Sequence, residues 1–376
     1  MLKKSLRKYV SCLVLILVMT FTAGCLPIFN LDVGASEPKG IPSLKEIYKD
    51  YFEIGAAVSI ASWSSQTFIK QVNLIEKHFS SLTAENEMKP DALQPREGVF
   101  SFQTADVMVN YAAKEGLKVR GHTLVWHNQT PAWFFLDKDG QRIDQKAVIT
   151  EEDRQLVIER LEKHIETVMQ HYAGKVYAWD VVNEAISDDG RYILRQDSPW
   201  YKILGDEFIE IAFRKAHEVD PNVKLFYNDY NIEMVYKRGR TIQMLKSMLD
   251  KGVPIHGVGI QGHWGVNGPS IQEIEDAIKA YAALGLEIHI TELDVGLDGQ
   301  SYEAQAERYR QLFALFKKYS DVITSVTLWG TVDPASWRSG DNPLLFDGNS
   351  EPKPAFWAIV NTDKSWKENK AEYLGE

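Results

Sequence analysis

Two stretches of this chain place an acid where a buried strand should end. Val176-Tyr177-Ala178-Trp179-Asp180-Val181-Val182 is largely apolar and β-branched, and Asn183-Glu184 closes it. Ile288-His289-Ile290-Thr291 is followed in the same way by Glu292-Leu293-Asp294. A carboxyl group in such a place costs free energy unless it meets water, a partner or a ligand. Singly, each has a plain structural explanation: Asn183 could cap a following helix, and Glu292 could fix a loop. Two of them on one face point instead to paired-carboxylate chemistry, the cleavage of an acetal. That reaction needs a proton donor for the leaving oxygen and a second carboxylate to trap or stabilise an oxocarbenium-like centre. At neutral pH one carboxyl must keep its proton while the other stays ionised. His263 and Asp294 are the candidates for holding Glu292 ionised and aimed. Asn183 is the candidate for a hydrogen bond to a sugar hydroxyl beside the reacting carbon.

Further polar and aromatic residues gather at the same positions in other segments. Glu85, Asn86 and Lys89 follow one apolar run, His122 and Trp126 another, Gln261 and His263 a third, and Trp329 and Trp337 a fourth. Asn228, Asp229 and Tyr230 follow a fifth. Lys89, beside Glu85 and Asn86, reads as a hydrogen-bond donor to substrate. The faces of Trp126, Trp329 and Trp337 suit packing against sugar rings, each with one N–H for a hydroxyl. Trp179 and Trp357 read as core, Trp264 stays open, and His127 and His289 read as satisfied core histidines. His122 and His127 are five apart, and no Glu lies between two His at helical spacing, so a metal site is disfavoured.

Positioning these residues takes a repeated unit. Apolar or β-branched runs are expected as strands at 53–58, 79–84, 117–123, 176–182, 223–228, 257–261, 286–291 and 323–329, with helical stretches between them. The clearest helix runs from Glu151 to Tyr172, with Ile158, Leu161, Ile165, Val168 and Met169 at three- and four-residue spacing. Asp220-Pro221 ends the helix before the fifth strand, because proline disfavours helical geometry in the residue ahead of it. Eight strand-then-helix units predict an α/β fold, a (β/α)8 TIM barrel in a single catalytic domain, whose strand C-termini converge on one face. The runner-up, an open doubly wound sheet, more often has a Gly-rich turn after its first strand. Here that strand leads into Ala61-Ser62-Trp63-Ser64-Ser65.

Composition sets the outer limits. The 376 residues are 44% hydrophobic and 25% charged, which is ordinary for a globular chain. Lys3, Lys4, Arg7 and Lys8 precede an apolar stretch from Cys12 to about Phe21, the pattern of a secretory signal. Residues 1–35 are therefore expected to be a leader, and 36–376 the catalytic domain. Val33-Gly34-Ala35 resembles an ordinary cleavage site, while Thr22-Ala23-Gly24-Cys25 resembles a lipoprotein box. The expected location is extracellular, free or lipid-anchored through Cys25. Cys12 and Cys25 are the only cysteines, so the rest of the chain has no internal disulfide. Four of the 42 basic and one of the 52 acidic residues lie in the leader, which leaves a net charge of −13 on the remainder. That balance argues against nucleic acid or an anionic membrane as partner and suits a neutral polymer.

Taken together, TAENEMKP (83–90), RGHTLVWH (120–127), WDVVNEA (179–185), LFYNDYN (225–231), GIQGHW (259–264), ITELDV (290–295) and the TLWG, SWR and PLLFD stretches (327–347) resemble glycoside hydrolase family 10, the endo-β-1,4-xylanases. The resemblance covers residues from about 44 to 362. It implies a TIM barrel and a retaining double displacement on xylan or xylo-oligosaccharide, with no cofactor and no protein partner, in a monomer. Glu184 matches the acid/base and Glu292 the nucleophile. His263 and Asp294 match the group that keeps the nucleophile ionised, and Asn183 the residue that binds the sugar 2-hydroxyl. Lys89, His122, Trp126, Gln261, Trp329 and Trp337 match the lining of the cleavage subsite, and Glu85 and Asn86 the next glycone subsite. Pro90 departs from the pattern, standing where many relatives have Trp. Three alternatives stay open: a β-glucanase or cellulase of similar barrel design, a surface lipoprotein that binds oligosaccharide without cutting it, and a metal-dependent barrel hydrolase, which would lose activity with a chelator.

Overall fold

The computed structural model describes residues 40–60 and 66–374. The leader expected over residues 1–35, with Cys25, and the Ala61–Ser65 stretch lie outside the described residues.

The described residues form nine parallel strands: β1 (Glu53–Val58), β2 (Ser81–Ala84), β3 (Lys118–Val125), β4 (Ala178–Asn183), β5 (Lys224–Asp229), β6 (Gly257–Ile260), β7 (His263–Gly265), β8 (Glu287–Gly296) and β9 (Ile323–Leu328). Neighbours run in chain order from β1 to β6. β1 pairs back to β9, β9 to β8 and β8 to β6, which closes an eight-stranded barrel and leaves β7 outside it. Each expected strand is present, with ends shifted by a few residues. The main difference is β8, which runs on to Gly296. His263-Trp264-Gly265 pairs with its extension in register with Asp294-Val295-Gly296, which puts His263 opposite Asp294.

Helices α1 (Leu44–Tyr48), α2 (Gln66–His78), α3 (Pro90–Leu93), α4 (Gln103–Lys114), α5 (Glu151–His171), α6 (Pro199–Leu204), α7 (Glu207–Val219), α8 (Val235–Asp250), α9 (Ile271–Ala282), α10 (Tyr302–Lys318), α11 (Pro354–Val360) and α12 (Trp366–Leu374) surround the strands. The start of α5 is a reciprocal cap: the Asp153 N–H donates to the Thr150 hydroxyl, and the Thr150 N–H to the Asp153 carboxylate, both at 3.2 Å. Its apolar buried face is Val157, Leu161, Ile165, Val168 and Met169, four of them in the stripe read from the sequence; Ile158 is only half-buried and Val157 takes its place, and α7 ends at Val219 ahead of Asp220-Pro221.

Between the strands and the helices, Trp179 on β4 lies against Gly121 on β3, where any added Cβ would collide with the indole, and 6.2 Å from the Tyr172 ring at the end of α5. A polar layer crosses the barrel beneath the catalytic face. Arg120 pairs with Asp180 through both terminal nitrogens, and Asp180 also meets His122 Nδ1 at 2.9 Å. Burial works against the Asp180 charge, but Arg120 overrules it and holds the carboxyl below its usual range. His289, fully buried, is satisfied by Arg120, Glu287 and Thr324, as expected of a core histidine. Trp264 is also core: it is buried and its N–H donates to Glu233 at 3.0 Å.

Candidate active site

The C-terminal strand ends bring the sequence-selected residues to one face. Ladder hydrogen bonds continue past the strands and fix the acids in register. The Glu184 N–H donates to Asn228 O at 2.8 Å, the Glu292 N–H to Gln261 O at 2.8 Å, and the Glu85 N–H to Val58 O at 2.9 Å. Glu184 has φ +56°, a left-handed conformation that costs a residue with a side chain roughly 1–2 kcal/mol. Asn183 is no helix cap, since the next helix, α6, begins well downstream at Pro199, behind Ser198.

The two glutamates meet opposite surroundings. Glu292 is 5% exposed. Its Oε2 contacts His263 Nε2 at 3.2 Å and its Oε1 accepts from Asn228 Nδ2 at 2.8 Å. Burial pushes this carboxyl up, yet the hydrogen bond from His263, the charges of His122 and His263, and the Asn228 amide hold it below its ordinary value. His263 Nδ1 meets Asp294 at 2.9 Å. Burial works against a charged ring, but hydrogen bonds to Asp294 and Glu292 drive the imidazole up to about 10, so it is an imidazolium at neutral pH. Asp294 also accepts from Arg338 Nη1 at 2.6 Å and from the Trp337 N–H at 2.9 Å.

Glu184 is partly exposed and its carboxyl is pushed above the usual range, first by burial and then by the charge of Asp229. Hydrogen bonds from Gln261 Nε2 to Oε1 (2.9 Å) and from the Trp126 N–H to Oε2 (2.8 Å) act in the opposite sense. Asn183 Oδ1 accepts from Asn228 at 2.9 Å and from Gln261 at 3.4 Å, so one amide network joins both carboxylates. One carboxyl held below its ordinary value and the other raised above it is the bias that acid/base plus nucleophile chemistry requires.

The remaining expected residues surround this pair. Lys89 is buried, and its ammonium donates to Asn86 Oδ1 (3.0 Å) and Gln129 Oε1 (2.9 Å) and sits 4.9 Å from the Trp126 ring centre. Burial pushes Lys89 down, against the charges of Glu292 and Glu85; burial pushes Glu85 up. Pro90 is the first residue of α3 and holds Lys89 extended ahead of it. Trp329 stands edge-on to His122 (5.4 Å between ring centres) and to His263 (6.3 Å). Trp337 is 61% exposed and edge-on to His263 at 5.0 Å, a ring face open to a ligand. The N–H groups expected to meet sugar hydroxyls differ from that expectation at two positions: Trp126 donates to Glu184 and Trp337 to Asp294. His127 differs too, with its Nδ1 buried and unpartnered, and burial lowers it to about 4.

One site residue that the sequence places at a strand end is given no role by it, and three others escape it. Asn228 bridges Asn183 and Glu292, and Thr291 fixes it by donating to Asn228 Oδ1 at 2.6 Å. Gln129 holds Lys89, and Arg338 holds Asp294. Asn228 has a visible signal, its place at the end of β5; for the other three, spacing alone carries none. No group of three or more His, Cys, Asp or Glu residues is arranged to hold a metal ion among the described residues.

Comparison with known proteins agrees with this geometry. The chain is 46% identical over 373 residues to a β-1,4-xylanase of Dictyoglomus thermophilum, covering 93% of this chain and 98% of that one. Among solved structures, xylanase B from Clostridium stercorarium F9 superposes with a TM-score of 0.81 at 42% identity, over 85% of this chain and all of that one. An intracellular xylanase from Thermoanaerobacterium saccharolyticum, solved as a mutant with xylotriose, gives 0.78 at 42% identity over 86% and 99% of the two chains. Residues 43–362 match the model of glycosyl hydrolase family 10, and the chain belongs to that family.

Proposed function

We propose that this enzyme hydrolyses internal β-1,4-xylosidic bonds of xylan by a retaining double displacement, with Glu184 as acid/base and Glu292 as nucleophile. The observation that carries it is the opposite bias on two carboxyls of one barrel face. Glu292 is held below its ordinary value by an imidazolium, and Glu184 is raised above its own by burial and a neighbouring negative charge. In the first step Glu184 gives its proton to the leaving oxygen while Glu292 attacks the anomeric carbon, breaking the glycosidic bond and forming a glycosyl ester. In the second, Glu184, now a carboxylate, takes a proton from water as that water attacks the same carbon and frees Glu292. The chemistry requires no cofactor.

Asn183, whose Oδ1 is engaged by Asn228 and Gln261, keeps its amide N–H groups as donors for the sugar 2-hydroxyl. Lys89, His122, Gln261 and the faces of Trp126, Trp329 and Trp337 line the cleavage subsite, with Glu85 and Asn86 at the next glycone position. We extend the proposal to export, free or lipid-anchored through Cys25, to act on extracellular polymer, on the strength of the basic and apolar pattern at residues 3–21; that the enzyme works as a monomer rests on the family resemblance alone. The test compares sugar release from xylan and from carboxymethylcellulose, for the parent enzyme and Glu292→Ala. Xylan is cut, the cellulose derivative is spared, and the variant is inactive. Faster cutting of the cellulose derivative would overturn the substrate, and an active Glu292→Ala the mechanism.

A further inference from the structure

The turn that presents Glu184 is held from behind by groups that a sugar bound at the carboxylates would not touch. The N–H groups of Ala185 and Ile186 both donate to the Tyr227 hydroxyl at 3.0 Å, and Ile186 also reaches Asp229 Oδ2 at 3.3 Å. Arg195 Nε donates to the Glu184 carbonyl at 3.2 Å. The Tyr227 hydroxyl donates in turn to Asp229 Oδ2, and Asp229 Oδ1 accepts from Lys237 Nζ at 2.8 Å and from the Tyr230 N–H at 2.8 Å. Tyr227, Asp229 and Lys237 have no exposed surface. A buried ion pair is an inefficient way to stabilise a fold, since apolar residues of similar size often serve as well. Its place directly behind a strained catalytic turn suggests a different purpose.

We propose that Asp229, backed by Lys237, is a positioning residue for Glu184: through Tyr227 it pins the turn at Glu184, and it fixes a negative charge behind the carboxyl. The inference rests on Glu184 being the acid/base. After burial, the Asp229 charge is the largest influence raising the Glu184 carboxyl. Burial pushes Asp229 up as well, against Lys237 and Tyr227; the donors on both of its oxygens favour a carboxylate. The other charged or titratable groups around the pair include Asp188 and Arg195 from the loop after β4, Tyr230 after β5, Glu233 ahead of α8, His127 after β3 and Tyr281 on α9. Glu184 is also faced by Glu292 on β8 and Lys89 before α3.

The test uses Asp229→Asn, which keeps an oxygen for Tyr227 and Ile186 but removes the charge, and Tyr227→Phe, which keeps the charge but removes the hydroxyl. Glu184→Ala serves as the reference. Each is assayed for kcat/KM against pH on phenyl xylobioside, whose leaving group needs a proton, and on 2,4-dinitrophenyl xylobioside, whose leaving group does not. Asp229→Asn should move the alkaline limb of the phenyl profile toward acid by about half a pH unit or more, because a like charge near the acid is gone. Tyr227→Phe should lower kcat/KM on the phenyl substrate by about tenfold through misplacement of the acid. Both should leave the dinitrophenyl value within about twofold, since that step asks no proton of Glu184. An unmoved limb in a folded Asp229→Asn enzyme, or losses equal on the two substrates, would overturn the inference. If Asp229→Asn does not fold, the substrate ratio of Tyr227→Phe decides. If Glu184→Ala itself shows no leaving-group dependence and no rescue by azide, Glu184 is not the acid/base and the inference falls with it. If Glu184→Ala behaves as an acid/base variant, a silent Asp229→Asn sinks the inference alone.

Discussion

Replacing His263 by Ala removes the one cation set between two carboxylates, Glu292 at 3.2 Å and Asp294 at 2.9 Å. Its rise from 6.5 to about 10 corresponds to roughly 5 kcal/mol in favour of the charged ring. Divided between two carboxylate partners, about half of that, on the order of 2–3 kcal/mol, falls to Glu292. Lost from ionised Glu292, it corresponds to a fall of about 30- to 150-fold in kcat/KM at neutral pH. The acid limb of the profile should also rise, because the hydrogen bond that holds Glu292 down is gone. Stability gives an independent reading. The unfolded ring is charged only below about pH 6.5, whereas the folded ring stays charged to about 10. Its stabilisation is therefore complete below pH 6.5 and drains away as pH rises from there to about 10. Denaturant unfolding of the parent should show that loss over this window, and His263→Ala should be flatter across it. An unchanged acid limb with activity within about twofold of the parent would refute the imidazolium between the two acids.

Trp126→Phe removes the N–H bond to Glu184 Oε2, a bond that lowers this carboxyl. The alkaline limb of kcat/KM should then move to higher pH, and a shift toward acid would contradict the assigned contact. Gly265→Ala would drive a Cβ into the Asp298 carboxylate, which accepts from the Asn267 N–H at 3.1 Å. Overpacking of this kind costs about 1–3 kcal/mol, measurable as a lower denaturation midpoint; an unchanged midpoint would mean that Asp298 moves aside freely.

The parts of the fold legible in the sequence are those where local chemistry leaves few options. Runs such as Ala178–Asn183 are too apolar to face water and too short for a helix, and their regular alternation with helical stretches implies a closed parallel barrel. An acid ending such a run contradicts its surroundings, which is why Glu184 and Glu292 stand out from the order of residues alone. β7 does not stand out. His263-Trp264-Gly265 is three residues long, and it pairs only because β8 continues past the barrel to Gly296.

The hydrogen-bond partners at the site are less legible, for a geometric reason. Side chains ending neighbouring strands converge across the barrel mouth, and which of them meet depends on rotamer and strand stagger, not on spacing along the chain. Residue type suggests that Trp126 and Trp337 offer their N–H groups to sugar, yet both donate to carboxylates. Asn228 is visible at its strand end, but its bond to Glu292 crosses from β5 to β8 and leaves no mark in either motif. Arg338 reaches Asp294 from a loop far along the chain, after β9. Arg338, Asp294, His263 and Glu292 form a chain of alternating charge in which each member fixes the next. A residue three contacts from Glu292 can therefore govern it, and Arg338 belongs to the site as firmly as the imidazole it supports.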